Sequence, residues 1–591
     1  MPEDSSPSPD GPATTGGRST DRPPGPQIHD HHGLRVAFVH GSLRDRAGQL
    51  AEHLATDARR DPTLLRFWHD LDRHVLRGQL PGAREAAVDG ATRLLDRLAT
   101  GPLFLRLDDG MQSALTTFGA HLGEVDLGLP ARGRASAARK LARAHVVQDA
   151  LAVLTGLPLK QKAPAGPLGC SSLVALPALT ESGELIMGRN VDLVPHGRSD
   201  PPLLVVHRPD KGLAHVSLHH GGSFTPGFTA VNEAGVAVAV HQNFTREVSL
   251  RGRPIASVAR ELIETSRSLS AALEKLRGTR TAGGWTIVLA DARRGRACAV
   301  EIDADGAASL FPPRDFLAVA NCYRTRKKVH DFAFTGAWRE HNWSRLSLLN
   351  RSARRGRGRF TLGRMADALA DHTDAYDHDR QRAFGNTVSA IHNVDAAIVA
   401  PGLDALYVAV GHTPRNSSDG FVGLSLAALM NGRLEALPSL PPAAEGPFRD
   451  ALHRHSDACR LLYEGGDEVY AEALFAEAAE LVPEEPIYRF MQGVLQLKAG
   501  AAATAAETFA ACVADETSPY RRGLGRLMEG RALDVLGHRR QAIAAYGDVG
   551  VQAEDVDPGL IRRARRGQQR AFAPRKASHL VIDTLLADVP V

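Results

Sequence analysis

Cys170 stands directly behind Gly169 in the stretch PLGCSSLVALPALTESGELIMGRNVDL, and Arg189, Asn190 and Asp192 follow about twenty residues on. A thiol titrates near pKa 8.5 and an α-amine near about 7.7–8.0, so the two exchange a proton readily. If the bond between Gly169 and Cys170 were cut, the new α-amine would lie beside the thiol of the same residue. It could then act as the base, with no histidine required. The same thiol can make the cut. Its sulfur attacks the Gly169 carbonyl, the acyl group moves from nitrogen to sulfur, and water releases it. Gly169 lacks a Cβ, which eases the close approach and strained turn this needs. The preceding KQKAPAGPLG, with its two prolines and two glycines, reads as an exposed loop able to move away afterwards. On the far side of the turn, a carboxylate at Asp192 would hold the ammonium, and a cation at Arg189 would favour thiolate. Taken alone, Arg189 and Asp192 would serve equally as an ion pair at a strand end, and Gly-Cys is a common dipeptide.

The elements that must position these groups are short apolar runs. SSLVALPALT, ELIMGRNVDL, PLLVVHR, AHVSLHH, GVAVAVHQNF, GGWTIVLAD, ACAVEID and FLAVANCY read as strands separated by glycines and polar turns. TVSAIHNVDAAIVAP and ALYVAVGHTP extend the series, and PIASVARELIETSRSLSAALEKLRG and the segment after Phe360 read as helices. Continuous runs such as WTIVLA predict sheets buried on both faces, hence an α+β layered domain. Before it, LRVAFVHG suggests one strand, and the chain to about residue 160 reads as mainly helical.

The order of these pieces resembles the autoproteolytic acyltransferases and amidohydrolases typified by the isopenicillin N acyltransferase family, peptidase family C45. More distantly it resembles the choloylglycine hydrolases; both belong to the N-terminal nucleophile (Ntn) hydrolase superfamily. GCSSLVALPALTESGELIMGRNVD carries the Gly-Cys, strand, turn, strand and Arg-Asn-x-Asp ending. VNEAGVAVAVHQNF resembles the Asn-x-x-Gly strand that ends in asparagine, and WTIVLADARRGRACAVEID the strand pair with Asp291 at its turn and Glu301 at its end. FLAVANCY and NTVSAIHNVDAAIVAPGLDALYVAVGHTP resemble later strands, so the likeness spans about residues 34–430. It implies a four-layer αββα fold over residues 170–440, behind a mainly helical prosegment at 34–169.

Residue by residue, the resemblance implies Cys170 as nucleophile, Gly169–Cys170 as the self-cleaved bond, Asp192 as the carboxylate for the freed α-amine and Arg189 as an arginine near the thiol. Asn321, in VANCY, falls on the oxyanion asparagine, and Asn243, in HQNF, on a second pocket asparagine whose backbone or side chain completes the oxyanion site. Arg382, in DRQRAFGN, with Arg380 as the alternative, falls where a second arginine would hold the pocket network or a substrate carboxylate. The sequence departs from the family pattern at Ala320, at Cys322-Tyr323 and at Gly283-Gly284-Trp285, which puts the pocket shape in doubt. The implied function is a self-processing cysteine amidohydrolase or acyltransferase acting on a linear amide or acyl thioester, small molecule or peptide, without cofactor. The alternative is a non-catalytic interaction protein built on an inherited hydrolase scaffold.

From about residue 448 the texture is helical and repeating. Phe475 and Phe509 are 34 residues apart, as are Gly466 and Gly500, and Gly537 and Tyr546 follow 37 further on. This resembles tetratricopeptide repeats over 448–557, with a small residue where two helices cross and an aromatic knob in the second, and suggests a protein partner. A basic tail occupies 561–591 and a Pro/Ser/Gly-rich disordered stretch 1–33.

Composition excludes little else. The formal charge is +4 over 591 residues, so no nucleic-acid partner is demanded. Five cysteines without a CxxC pair disfavour a thiolate zinc site. His219 and His220 are adjacent on a strand and face opposite ways, so they do not share a metal. RTRKKVH, from Arg324, reads as a solvated basic patch or one that favours an acidic substrate group. No apolar stretch suits a signal sequence or a membrane span, so a cytoplasmic protein is expected.

Overall fold

The computed structural model describes residues 27–60, 85–125, 134–156, 169–193, 202–219, 223–325, 328, 336–463, 467–553 and 557–580. The loop before Gly169, most of the stretch 1–33, His220, Gly466 and the end of the basic tail lie outside the described residues.

The first elements are a hairpin, β1 (Gln27–His31) and β2 (Leu34–Gly41), and helices α1 (Leu43–Arg60), α2 (Glu85–Leu98), α3 (Asp109–Leu122) and α4 (Arg134–Gly156). Next come β3 (Gly169–Ala175), β4 (Ile186–Asp192), β5 (Leu203–Pro209), β6 (His215–His219), β7 (Thr229–Asn232) and β8 (Val236–Asn243). Helices α5 (Ile255–Thr265) and α6 (Leu269–Leu276) lead to β9 (Gly284–Asp291), β10 (Arg296–Ile302), β11 (Ala307–Leu310) and β12 (Phe316–Val319). Helices α7 (Gly336–Arg355) and α8 (Leu362–Leu369) precede β13 (Asn393–Ala400), β14 (Ala405–Ala409), the short α9 (Arg415–Ser418), β15 (Phe421–Ser425), α10 (Leu426–Met430) and β16 (Ala436–Leu440).

These strands form two sheets. One has nine strands in the order β1-β2-β5-β6-β7-β8-β9-β10-β11; the other has seven, β12-β3-β4-β13-β14-β15-β16. Val36, Val206, Val288 and Ala299 of the first pack against Val174, Met187, Val399 and Val408 of the second. Ile255, Val258 and Leu262 of α5 cover the outer face of the nine-stranded sheet, over Val238, Ile287 and Val300. Leu346 and Leu349 of α7, with Met365 and Leu369 of α8, cover the outer face of the seven-stranded sheet. The order helix, sheet, sheet, helix is the αββα architecture expected, and it explains the continuous apolar strands: both faces of each sheet are buried.

The hairpin β1–β2 ties the start of the segment before Cys170 into the sheet. β2 pairs in parallel with β5, Arg35 opposite Leu203, so these residues belong to the nine-stranded sheet. Helix α4 is bound to the same body. Asp149 accepts from the Ile255 N–H (3.1 Å) and from Trp285 Nε1 (3.2 Å), and burial raises its pKa to about 7. His145 Nε2 accepts the Phe224 N–H at 2.7 Å. A cut before Cys170 would therefore leave this segment attached.

The C-terminal region is all helical: α11 (Gly446–Tyr463), α12 (Glu468–Leu481), α13 (Pro486–Lys498), α14 (Ala502–Asp515), α15 (Pro519–Val535), α16 (Arg539–Ala553) and α17 (Pro558–Gln569), each packed on the next. Phe475, Phe509 and Tyr546 are buried, as aromatic knobs should be. The small residues they meet differ from those expected. A Cβ at Gly493 would stand 2.9 Å from the Phe509 ring, and one at Gly530 2.6 Å from the Tyr546 ring. Gly500 and Gly537 instead lie past the ends of α13 and α15 at φ 89° and 81°, the left-handed stop that glycine adopts without strain.

Candidate active site

The β3–β4 hairpin sets the geometry. Its register places Gly169 opposite Asp192, Cys170 opposite Val191 and Ser172 opposite Arg189. Alternation along the strands puts Cys170 and Arg189 on one face, Asp192 on the other. Arg189 lies toward β8: its guanidinium donates to the carbonyls of Phe228 and Val240 and to Cys170 Sγ at 3.1 Å. Asp192 lies toward α7, where Arg345 Nη1 donates to Oδ2 at 3.0 Å, and Asn393 Nδ2 donates to Oδ1 at 2.5 Å. Gly169 is packed so closely that a Cβ would come within 2.7 Å of Asp192 Oδ2. That answers why glycine precedes the thiol: any side chain would displace the carboxylate.

Asn321, just past β12, joins the two faces. Its Oδ1 accepts the Cys170 N–H at 2.7 Å and Arg345 Nη2 at 3.0 Å, and Nδ2 donates to the Gln242 carbonyl at 2.6 Å. Arginine has only donors, so the amide must present its oxygen to Arg345, which fixes its orientation. An amide NH2 carries two hydrogens, and among the described residues the second has no partner.

Burial raises the Cys170 thiol pKa; the Arg189 charge opposes this and Asp192 reinforces it. Cys170 is 7% exposed, and with its pKa raised the thiol of the intact chain holds its proton at neutral pH. His241 is not a base for it. Its Nδ1 donates toward the Cys170 carbonyl at 3.3 Å, and its Nε2 then accepts from Ser172 Oγ at 2.9 Å.

Two expected residues have other side-chain partners. Asn243 ends β8, and its Nδ2 donates to Thr286 Oγ1 at 2.6 Å, tying β8 to β9. The contacts β8 makes with the site run through the backbone carbonyls of Val240 and Gln242 and through the His241 ring. Arg382 is not beside the thiol. It is buried among Asp374 (3.0 Å), Glu485 (3.2 Å) and Glu516 (3.1 Å), joining the loop before β13 to the C-terminal helices. Arg380, the alternative, also reaches that region, donating to the Asp515 carbonyl at 2.7 Å.

The second arginine of the site is Arg345, which sequence reasoning missed. It is fully buried and donates to the Cys170 carbonyl (2.7 Å), Ser171 Oγ (2.9 Å), Asp192 Oδ2, Asn321 Oδ1 and Asn342 Oδ1 (2.7 Å). Asn342 in turn accepts the Asn321 N–H at 2.8 Å. The one sequence signal was the spacing of Asn342 and Arg345, neighbours on a helix face. The basic run after Asn321 also differs from expectation at Lys328, which is buried against Asp303 at 2.5 Å. Glu301 accepts the N–H groups of Arg324 (2.6 Å) and Thr325 (3.0 Å), holding the turn behind Asn321.

His341 and His392 lie beside Asp192, with ligand atoms of all three within 4.8 Å of one another. His341 Nδ1 donates to the Gly385 carbonyl at 2.9 Å, so its Nε2 accepts from His392 Nε2 at 3.3 Å. A cation there would face the Arg345 guanidinium, which already holds Asp192.

Residues 179–383 match the family described as "AAT: Acyl-coenzyme A:6-aminopenicillanic acid acyl-transferase". The match takes in Arg189, Asp192, Asn243, Asn321 and Arg345 and begins downstream of Cys170. Over that span the resemblance carried by the motifs is borne out. Among solved structures, the chain is similar to a mutant of the conjugated bile acid hydrolase from Clostridium perfringens, with TM-score 0.30 and 11% identity, covering 47% of this chain and 99% of that one. A second variant of that enzyme gives TM-score 0.30 and 10% identity, with the same coverage. No curated protein matches the chain.

Proposed function

We propose that the chain is a self-processing N-terminal cysteine amidohydrolase or acyltransferase whose nucleophile is Cys170. The observation that carries this is the state of residue 170: its nitrogen is held by Asn321, its sulfur by Arg189, and the residue before it has no room for a side chain. In processing, Sγ attacks the Gly169 carbonyl carbon, the C–N bond breaks and a thioester forms. Water then releases Gly169 as a carboxylate and leaves Cys170 with a free α-amine. That amine remains within reach of Asn321 Oδ1, and Asp192 supplies the nearby negative charge. It takes the thiol proton, and the sulfur attacks a substrate carbonyl. The second N–H of Asn321 Nδ2 meets the tetrahedral oxygen, the ammonium returns its proton to the leaving group, and water or an amine takes the acyl group. A linear amide or an acyl thioester fits this sequence equally.

Intact-mass measurement tests the first step. Wild type is expected as two polypeptides, 1–169 and 170–591, and Cys170→Ala as one chain. Because burial raises the thiol pKa, cleavage should quicken with rising pH, roughly tenfold per unit while the thiol stays protonated. Wild type that folds yet stays whole at alkaline pH overturns the reading.

The oxyanion assignment has its own measurement. Mature Asn321→Ala should lose turnover by about 10²- to 10³-fold. Alkylation of its thiol by iodoacetamide, which develops no oxyanion, should fall far less. Equal losses in both reactions would make Asn321 a prop for Cys170 and nothing more.

A further inference from the structure

Where the catalytic core meets the C-terminal helices, three ligand-type side chains converge. His412 and Asp419 lie between β14 and β15, and His453 is on α11. Their ligand atoms all lie within 4.8 Å of one another, and the two imidazole rings are 4.9 Å apart between centroids. The loop is built to bring the carboxylate in. Asp419 Oδ2 accepts the His412 N–H at 2.9 Å, and Gly411, at φ 82°, leaves the space where a Cβ would sit 1.8 Å from that oxygen. Close by on α11, Ser456 bonds Thr413 across the same seam at 2.5 Å. His453 Nε2 is shielded from water and has no hydrogen-bond partner. An unpartnered, desolvated imidazole nitrogen beside a second imidazole and a carboxylate is a donor set without an acceptor.

Two buried histidine clusters among the described residues are already answered by a guanidinium. His207 meets Arg46, and Asp192, near His341 and His392, meets Arg345. Among the described residues no arginine or lysine hydrogen-bonds to His412, Asp419 or His453. Arg449 and Asp450 act on His453 in opposite senses.

We propose that His412, Asp419 and His453 bind one divalent transition-metal ion, Zn2+ by donor type, which ties α11 to the 411–419 loop. Two imidazoles and a carboxylate suit zinc, with metal–ligand distances of about 2.0–2.2 Å. The ligand atoms must draw together by roughly an ångström or more to reach that geometry. His412 and Asp419 are exposed and free to make the adjustment. A water completes the fourth position. The ion bridges two parts of one chain, so its role is to stabilise that seam, independent of the chemistry at Cys170.

The test uses full-length protein without an affinity tag, stripped by chelator and titrated with Zn2+, then with Co2+ as a spectroscopic probe. One equivalent should bind, with visible Co2+ bands of a low-coordinate nitrogen–oxygen site, and the melting temperature should rise. His412→Ala and His453→Ala should each weaken that equivalent by more than about 10- to 100-fold, since losing a ligand costs at least what losing an outer partner does. His412 is exposed, so its variant should fold with the metal-free melting temperature of wild type. His29, His31 and His32 give a histidine-rich background that both variants retain, and the difference subtracts it. Equal Zn2+ binding by wild type and both variants, or no melting shift in wild type, overturns the proposal.

Discussion

Arg345→Ala is expected to leave the chain uncleaved at Gly169–Cys170 and to lower its stability by about 3–5 kcal/mol, the cost of stranding one partner of a buried ion pair. The argument rests on how many groups depend on one guanidinium. Arg345 donates to the Cys170 carbonyl, Ser171, Asp192, Asn321 and Asn342, and it is wholly shielded from water. Burial pulls its own pKa down, and the Asp192 charge opposes that. Without it, Asp192 keeps Asn393 as a neutral donor but loses its cation. Asn321 then loses the contact that fixes which end of its amide faces the Cys170 nitrogen. Arg345→Lys should recover part of the stability and little of the cleavage. One ammonium can neutralise Asp192 but cannot span both asparagines and the Cys170 carbonyl in a planar fork. Intact mass and a denaturant midpoint on both variants give the two readouts. Wild-type cleavage in Arg345→Ala would show that the network is dispensable.

Arg345 also marks the limit of what the sequence disclosed. Cys170, Arg189 and Asp192 were legible because one hairpin carries all three, and a register of adjacent strands follows from local alternation. Asn321 was legible only through the resemblance of FLAVANCY to a family strand that ends in asparagine. Arg345 reaches the same carboxylate from a helix 153 residues away in sequence, and its spacing from Asn342 in WREHNWSRLSLL is a weak mark in a chain with 71 lysines and arginines. Arg382 was placed in the pocket for the same reason: its loop precedes the closing strands, as expected, but its partners Glu485 and Glu516 lie more than a hundred residues on. The strands themselves were visible as continuous apolar runs because each sheet is covered on both faces. The parallel pairing of β2 with β5 was not, since parallel neighbours need a crossover and leave no local turn signal.

Deleting the C-terminal helices, residues 446–591, is expected to yield insoluble chain that never cleaves itself, although the candidate site lies wholly outside the deleted part. A docking module appended to a finished domain would predict the opposite. The difference lies in what the seam buries. Ala383, Phe384, Ile391 and Val394 of the core share one apolar cluster with Ala451, Leu452, Phe475 and Tyr488 of the helices. Arg521 lies over the Phe384 ring at 4.9 Å, and Ser518 bonds Glu340 on α7, the helix that carries Arg345. Deletion exposes that surface and strips Arg382 of Glu485 and Glu516. The point variant Arg382→Met isolates the charge within the full chain. It leaves Asp374, Glu485 and Glu516 buried without their cation, and should cost about 3–5 kcal/mol near neutral pH. The sign with pH follows from Glu485, whose pKa burial raises even with Arg382 present to oppose it. A carboxyl raised on folding favours the folded state most at low pH and loses that contribution as pH rises through its folded pKa. Removing Arg382 raises it further, so the deficit of Arg382→Met should shrink as pH falls toward about 5 and widen toward about 8. Thermal denaturation of both proteins across that range measures it. A soluble chain ending at residue 445 that cleaves normally, or a deficit indifferent to pH, would return the helices to the status of an independent module.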